Sequence, residues 1–353
     1  MTDLIKVAIF GAGRWGTHLI RNFLQHPKAE VVAIADPNPE RLNAIPTRLQ
    51  LPSEVCLETD WQNVLTLPQL DAVVVATPAS THYTIISEAL QRGYHVLAEK
   101  PLTLKLSESQ ALCDLAQQHQ RQLVIDHTYL FHPAVETGQQ VIAKGKLGDL
   151  RYGYAARTHL EPVRPDVDAL WDLAIHDIAI FNTWLGQTPV QVQATGTVWL
   201  QPDQKFETDR IEDLTPIYNS GLSDIVMATL TYPNGFRAFL HLCWLNPDKQ
   251  RRLGVVGSEG TLIFDELSID APLTFQQGYL ENVAQGWKGA GQQTDIIAVP
   301  PQEPLAKVCD HFLYCVRQNI PSNRSDGYVA TELVKILSGL SESLQQGGQP
   351  IML

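Results

Sequence analysis

The chain has 353 residues, of which 44% are apolar and 18% charged, with a formal net charge of −12. That length exceeds one ordinary domain and predicts two, each with its own core. An acidic chain without a Lys/Arg-rich run offers no electrostatic footprint for nucleic acid or an anionic membrane, and no apolar run approaches the ~20 residues that span a bilayer.

Residues 4–10 form a short β-rich apolar run that meets Gly11-Ala12-Gly13-Arg14-Trp15-Gly16 at once. Residues 17–24 then carry apolar side chains at helical spacing. Strand, G-x-G-x-x-G and helix is the context of a dinucleotide fingerprint: Gly11 permits a tight turn, Gly13 lets a pyrophosphate approach, and Gly16 allows close helix–strand packing. The free N–H groups of the first helical turn face the phosphates. A second strand, 31–35, ends at Asp36, whose carboxylate suits adenosine ribose hydroxyls and repels a 2′-phosphate. NAD is therefore favoured over NADP, although Arg41 softens the preference.

Strand 71–76 ends in Ala76-Thr77-Pro78, and a helix runs from Thr81-His82 to Gly93. Pro46 and Pro68 break the intervening stretches, so no long helix is expected there. Residues 95–99 form a near-continuous apolar strand that stops at Glu99-Lys100-Pro101-Leu102. Ligands in open α/β sheets collect outside the carboxyl ends of such strands, which places Lys100 within reach of cofactor and substrate. A helix over 107–119, with Ser107 and Gln110 spaced as a capping box, and a sixth strand over 122–126 complete a doubly wound sheet.

After residue 128 the rhythm changes. The pattern predicts a helix over 133–144, a strand over 150–160, a helix over 170–185, and strands at 190–200, 224–232, 236–245, 252–257 and 260–265. Pro233-Asn234-Gly235 is a hairpin signal, so this part is α+β with an antiparallel sheet. The Gln- and Gly-rich span 277–294 reads as a mobile surface loop, and helices over 304–319 and 326–345 close the chain. Asp172 and His176 are four residues apart and share one face of an α-helix. A carboxylate that orients an imidazole is an acid–base unit. No third ligand is spaced to make it a metal site. Cys56, Cys113, Cys243, Cys309 and Cys315 are odd in number and lack a CxxC, which suits reduced thiols. With no cleavage site after the first strand, a soluble cytoplasmic protein is expected.

Together, Gly11 to Gly16, Ala76-Thr77-Pro78 with His82, Glu99-Lys100-Pro101-Leu102, and Asp172 with His176 resemble the glucose–fructose oxidoreductase/inositol dehydrogenase/MocA-like family over nearly the whole chain. The resemblance implies an NAD-binding Rossmann domain over 1–128. An α+β domain over 129–353 would follow, with a large, mostly antiparallel open sheet that often makes oligomer contacts, in a homodimer or homotetramer. It implies cofactor contacts at Gly11, Ala12, Gly13, Arg14, Trp15, Gly16, Asp36, Arg41, Ala76, Thr77, Pro78, His82, Glu99 and Lys100, and catalytic roles for Lys100, Asp172 and His176, with the nicotinamide between Lys100 and the Asp172–His176 helix. The family commonly has a cis bond at the position of Lys100-Pro101. Many members place Arg-Phe after the sixth strand, whereas this chain reads Thr128-Tyr129-Leu130-Phe131-His132, so Tyr129 and His132 are expected to line the pocket. His127-Thr128-Tyr129 and the 168–178 segment look most like the sugar-nucleotide and amino-sugar branch. A diphosphate would need cations, for which Arg157, Arg164, Lys249, Arg251 and Arg252 are candidates. The implied activity is NAD-dependent oxidation of a secondary hydroxyl on a small sugar-like substrate. The alternatives are a non-catalytic NAD- and sugar-sensing regulator, and a reductase of a diol or linear tetrapyrrole.

Overall fold

The computed structural model describes residues 4–202 and 221–353. It divides into two compact units: residues 1–131 with 302–334, and residues 132–301 with 335–353.

The first unit alternates strand and helix: β1 (Ile5–Phe10), α1 (Arg14–Gln25), β2 (Ala29–Ala35), α2 (Pro39–Leu49), β3 (Cys56–Glu58), α3 (Trp61–Val64), β4 (Ala72–Val75), α4 (Ala79–Gln91), β5 (His95–Glu99), α5 (Leu106–Gln118) and β6 (Leu123–Asp126). All six strands run parallel in the order β3-β2-β1-β4-β5-β6. The strand order reverses between β1 and β4, the point at which doubly wound sheets bind ligands. Helices cover both faces, so β4 and β5 are buried along their whole length, as their unbroken apolar runs require.

Two local expectations need correction. α2 continues through Pro46, because Asn38 caps its start and Pro39 fits the first turn. Pro46 removes one N–H from the ladder, but its carbonyl still accepts from Gln50 and Leu51. Ser107 is not a cap either: α5 starts at Leu106 after Lys105, which makes no side-chain cap bond.

The second unit begins with α6 (Pro133–Ala143) and β7 (Leu150–Leu160). A π-helical turn (Leu170–Ala174) leads into α7 (Ile175–Leu185), and then come β8 (Gln191–Thr197), β9 (Ile225–Thr231), β10 (Arg237–Cys243), β11 (Leu245–Gly257), β12 (Gly260–Asp265), β13 (Leu273–Val283) and β14 (Gly286–Ile296). The chain continues with α8 (Pro304–Gln318) and α9 (Gly327–Gln345) and ends in β15 (Ile351–Met352). The nine-stranded sheet is ordered β14-β13-β12-β11-β7-β10-β9-β8-β15, and only β7 and β10 pair in parallel. One face is covered by helices: Phe181 of α7 fills the space that Gly153 leaves on β7. On the other face Tyr152, Met227 and Phe239 stand exposed. Gly235, at a φ of +82°, turns β9 into β10 as the Asn-Gly pair predicts.

The span 277–294 is not a loop. It is the outer part of the β13–β14 hairpin, with pairs from Thr274–Ile296 to Val283–Gly286. Most of its side chains are exposed, so no buried alternation marks the strands in sequence. The division of the chain also differs from a single boundary after 128. Residues 302–334 return to the first unit, where Phe312 of α8 packs edge-on to Phe23 of α1 at 6.4 Å.

Candidate active site

The first unit gathers the glycine loop, Asp36 and Arg41 at the carboxyl ends of β1 and β2. Gly11 adopts a φ of +97°, and a Cβ there would overlap the Ala76 carbonyl. A Cβ on Gly16 would overlap the Gly11 carbonyl. Both glycines are thus required by the protein itself. Gly13 differs, because the nearest atom to a Cβ there is Arg41 Nη1, 4.0 Å away. The backbone at Gly13 is left open on the side where a pyrophosphate would lie, at the N-terminus of α1. The buried Asp36 accepts from the Ala12 N–H through Oδ2 at 2.7 Å and from the Asn38 N–H through Oδ1 at 2.9 Å. Arg41 Nη1 stands 3.5 Å from Asp36 Oδ2. Arg14 and Trp15 are exposed on the first turn of α1. These residues fit a dinucleotide.

His82 is completely buried. Its Nδ1 faces the Pro101 and Leu102 carbonyls at 3.0 and 3.2 Å, and its Nε2 faces the Thr77 carbonyl at 2.9 Å. The ring therefore ties the turn after β4 to the turn after β5. The Lys100–Pro101 bond is cis. Lys100 is half-buried directly after Glu99, and Glu99 pairs with Asp126 across β5 and β6. Burial and the neighbouring Asp126 raise the Glu99 pKa well above the ordinary carboxylate range, while Asp126 is pushed up by burial to about 6. Burial and Lys100 hold His127 down at about 3, so its ring is neutral. Tyr129, in a 3-10 turn over Thr128–Phe131, is half-buried.

In the second unit, Asp172 lies within the π-helical turn and His176 at the start of α7. The expectation of an unbroken α-helix over 170–185 is corrected here, since a π turn widens the spacing and re-aims side chains, often at functional sites. Both residues are half-buried. Asp172 Oδ1 stands 3.3 Å from Arg164 Nη1. His132 caps α6 by accepting from the Ala134 N–H at 3.1 Å, and its ring packs on Phe264.

Arg157 is not presented to solvent. It is 3% exposed and forks onto Asp177, with Nε–Oδ2 at 3.1 Å and Nη2–Oδ1 at 2.7 Å. An inward side chain at that strand position reaches the covered face, which residue type alone does not reveal.

Several polar groups escaped sequence reading. Asp168 accepts from the Trp171 N–H at 3.0 Å, and burial raises its pKa to about 7. An acid immediately before the first residue of a helical run is a cap signal that could have found it. His159 on β7 accepts from Arg251 Nη2 through Nδ1 at 3.0 Å, so Nε2 carries the proton, buried and without a partner. No sequence motif marks it. Among the described residues, no group of three or more His, Cys, Asp or Glu side chains could hold a metal ion.

Two family models match: the oxidoreductase family, NAD-binding Rossmann fold, over residues 5–127, and the GFO/IDH/MocA C-terminal domain over residues 135–263. The chain belongs to the GFO/IDH/MocA family. It is 32% identical over 195 residues to a UDP-N-acetylglucosamine 3-dehydrogenase of Acidithiobacillus ferrooxidans, covering 54% of this chain and 58% of that one. It is 27% identical over 274 residues to a scyllo-inositol 2-dehydrogenase (NAD(+)) of Bacillus subtilis, covering 76% of this chain and 75% of that one. The solved structure of the Acidithiobacillus enzyme superposes with a TM-score of 0.77 at 23% identity over 97% of this chain and 98% of that one. An inositol dehydrogenase homologue of Azotobacter vinelandii, complexed with NADH and myo-inositol, gives a TM-score of 0.77 at 19% identity, covering 100% and 98% of the two chains. These likenesses establish the fold.

The first family model takes in the glycine loop, Asp36, Glu99 and Lys100, and the second takes in the Asp172–His176 segment. The β13–β14 hairpin lies beyond both matches. No described helix is long and apolar enough to cross a membrane.

Proposed function

We propose that this oxidoreductase is an NAD-dependent dehydrogenase that oxidises a secondary hydroxyl of a sugar-like substrate. The observation that carries the reading is the row of strand ends in the first unit. The dinucleotide cradle sits at β1 and β2, and Lys100 follows β5, the neighbour of β4.

When bound, the nicotinamide accepts hydride. Hydride leaves a carbinol carbon readily only as the hydroxyl loses its proton, so the protein must supply a base. That role is assigned to His176, because imidazole titrates near about 6.5 whereas lysine starts at about 10.4. The Lys100 ammonium stabilises the developing alkoxide and orients the hydroxyl. Asp172, steadied by Arg164, positions the imidazole or a neighbouring hydroxyl. His82 holds the turns at Thr77 and Pro101 in shape. Tyr129 and His132 are assigned to the substrate.

The substrate class is a hexose or amino sugar, including a UDP-linked one, and the names of the two relatives favour an amino-sugar nucleotide or a cyclic polyol. Arg157 is omitted from the substrate set because Asp177 occupies its fork. For the oligomer, a homodimer through the open sheet face is proposed, since Tyr152, Met227 and Phe239 are exposed there and Phe239 stands opposite Tyr154.

The test is NADH formation on a panel of UDP-N-acetylglucosamine, free hexoses and inositols. One class is expected to be turned over. Lys100→Ala and His176→Ala should each cut turnover by roughly 10²–10⁴-fold with NAD affinity little changed. Binding of NAD and a sugar without any turnover would identify a sensor instead, and near-normal turnover in both variants would remove these residues from the chemistry.

A further inference from the structure

Glu99 and Asp126 close the carboxyl ends of β5 and β6 as register partners, 9% and 1% exposed. As register neighbours on adjacent parallel strands, the two side chains share one buried face, and the Asp126 charge raises the Glu99 pKa. Two carboxylates in one buried site repel, so ionising both is costly and one of them keeps a proton. Asp126 Oδ1 accepts from the Thr128 hydroxyl at 2.7 Å, whereas Glu99 Oε1 and Asp126 Oδ2 are buried without a hydrogen-bond partner. Beside the pair stand Lys100, the neutral ring of His127, which is bonded to the Ser325 hydroxyl, and the Cys309 thiol of α8, which burial and the Asp126 charge hold protonated. Of these groups only Lys100 is a cation.

We propose that Glu99 and Asp126 form one carboxyl–carboxylate unit that holds a single proton beside Lys100, with Asp126 the positioning residue for the lysine charge. One shared proton leaves the Glu99–Asp126–Lys100 cluster neutral, the least costly state for buried charges. Loss of that proton at higher pH adds a second negative charge and holds the lysine ammonium more tightly. Only the lysine's part in hydride chemistry rests on the dehydrogenase reading; the shared proton belongs to the cofactor-free protein.

The arrangement makes the two amide variants informative. In Asp126→Asn the second charge is gone, so Glu99 is opposed by burial without a neighbouring carboxylate and titrates in a single step, and the cluster is neutral once it ionises. Glu99→Gln likewise leaves Asp126 as the single titrating acid of the pair. The double variant removes both of these acidic groups from beside Lys100.

The experiment follows carboxyl carbon NMR of cofactor-free protein labelled at Asp and Glu, between about pH 4 and 9, a range in which ordinary carboxyls finish ionising by about pH 6. An Asp168→Asn background removes a further carboxyl that burial makes titrate late. Two late carboxyl steps are expected from the pair, and the later of them should be lost in Asp126→Asn. If that variant does not fold, Glu99→Gln provides the same test through Asp126. The proposal is overturned if all carboxyls are ionised by about pH 6, or if both late steps survive either substitution. In steady-state assays the alkaline limb of the pH profile should move to lower pH in the double variant by more than in either single variant. An equal shift in all three would also overturn it. Failure of the NMR result leaves the dehydrogenase reading intact, and failure of turnover leaves the NMR result standing.

Discussion

Asp36 Oδ2 accepts a 2.7 Å hydrogen bond from the Ala12 N–H, so one carboxylate both shapes the glycine loop and fixes the charge at the end of β2. Cofactor choice should follow from it. NAD is expected to bind at least about tenfold more tightly than NADP, since a carboxylate against a phosphate costs on the order of 1.4 kcal/mol or more. Asp36→Ser should narrow the gap from both sides: it loosens the loop that holds NAD and releases Arg41, now 3.5 Å from Asp36, to meet a 2′-phosphate. Direct titration with both cofactors decides the matter, and equal affinities in the unmodified protein would refute it.

The second and third glycines of the loop should behave oppositely. Gly16→Ala places a methyl against the Gly11 carbonyl, so misfolding or a large fall in Tm is expected. Gly13 has an ordinary φ of −71° and open space around its missing Cβ. Gly13→Ala should therefore fold with Tm nearly unchanged while NAD affinity falls by about tenfold or more, because the methyl occupies the approach of the pyrophosphate. Unimpaired NAD binding in a folded Gly13→Ala protein would move the cofactor elsewhere.

Much of this arrangement was legible because its signals are local. Glycines that must lie against a carbonyl, an acid ending a strand, and apolar runs buried on both faces leave marks in a short window. The hairpin at Asn234-Gly235 did so too. The β13–β14 pair left none, since strands exposed on both sides have no alternation to read. The π turn at Leu170–Ala174 was also invisible, because its composition is that of any apolar helix. The fate of Arg157 and the pairing of Glu99 with Asp126 depend on which strands lie side by side, which no local pattern states.

Asp168 should leave a signature in stability against pH. Its folded-state pKa lies at about 7, above the ordinary value, so the folded protein retains a proton that the unfolded chain releases. The stability this contributes is complete below about pH 4 and lost as pH rises through about 7. Asp168→Asn keeps an acceptor for the Trp171 N–H without the charge. Denaturation midpoints measured between about pH 5 and 8 should fall less steeply in the variant than in the unmodified protein. Identical slopes would show that Asp168 is ionised throughout.

The Arg157–Asp177 fork gives the sharpest separation of scaffold from substrate site. Both side chains are buried, and the two parallel bonds at 3.1 and 2.7 Å match guanidinium to carboxylate. Arg157→Met strands the Asp177 charge, and breaking a buried pair in this way costs about 3–5 kcal/mol. Replacing both partners with apolar groups removes the stranded charge, so Arg157→Met combined with Asp177→Leu should regain most of that loss. Chemical denaturation of the two single variants and the double variant measures the coupling directly. If the fork is purely internal, the refolded double variant should also keep its KM for the preferred substrate. An Arg157 that holds a diphosphate would instead raise KM in every variant lacking it, whatever stands at 177, and that pattern would return Arg157 to the substrate site.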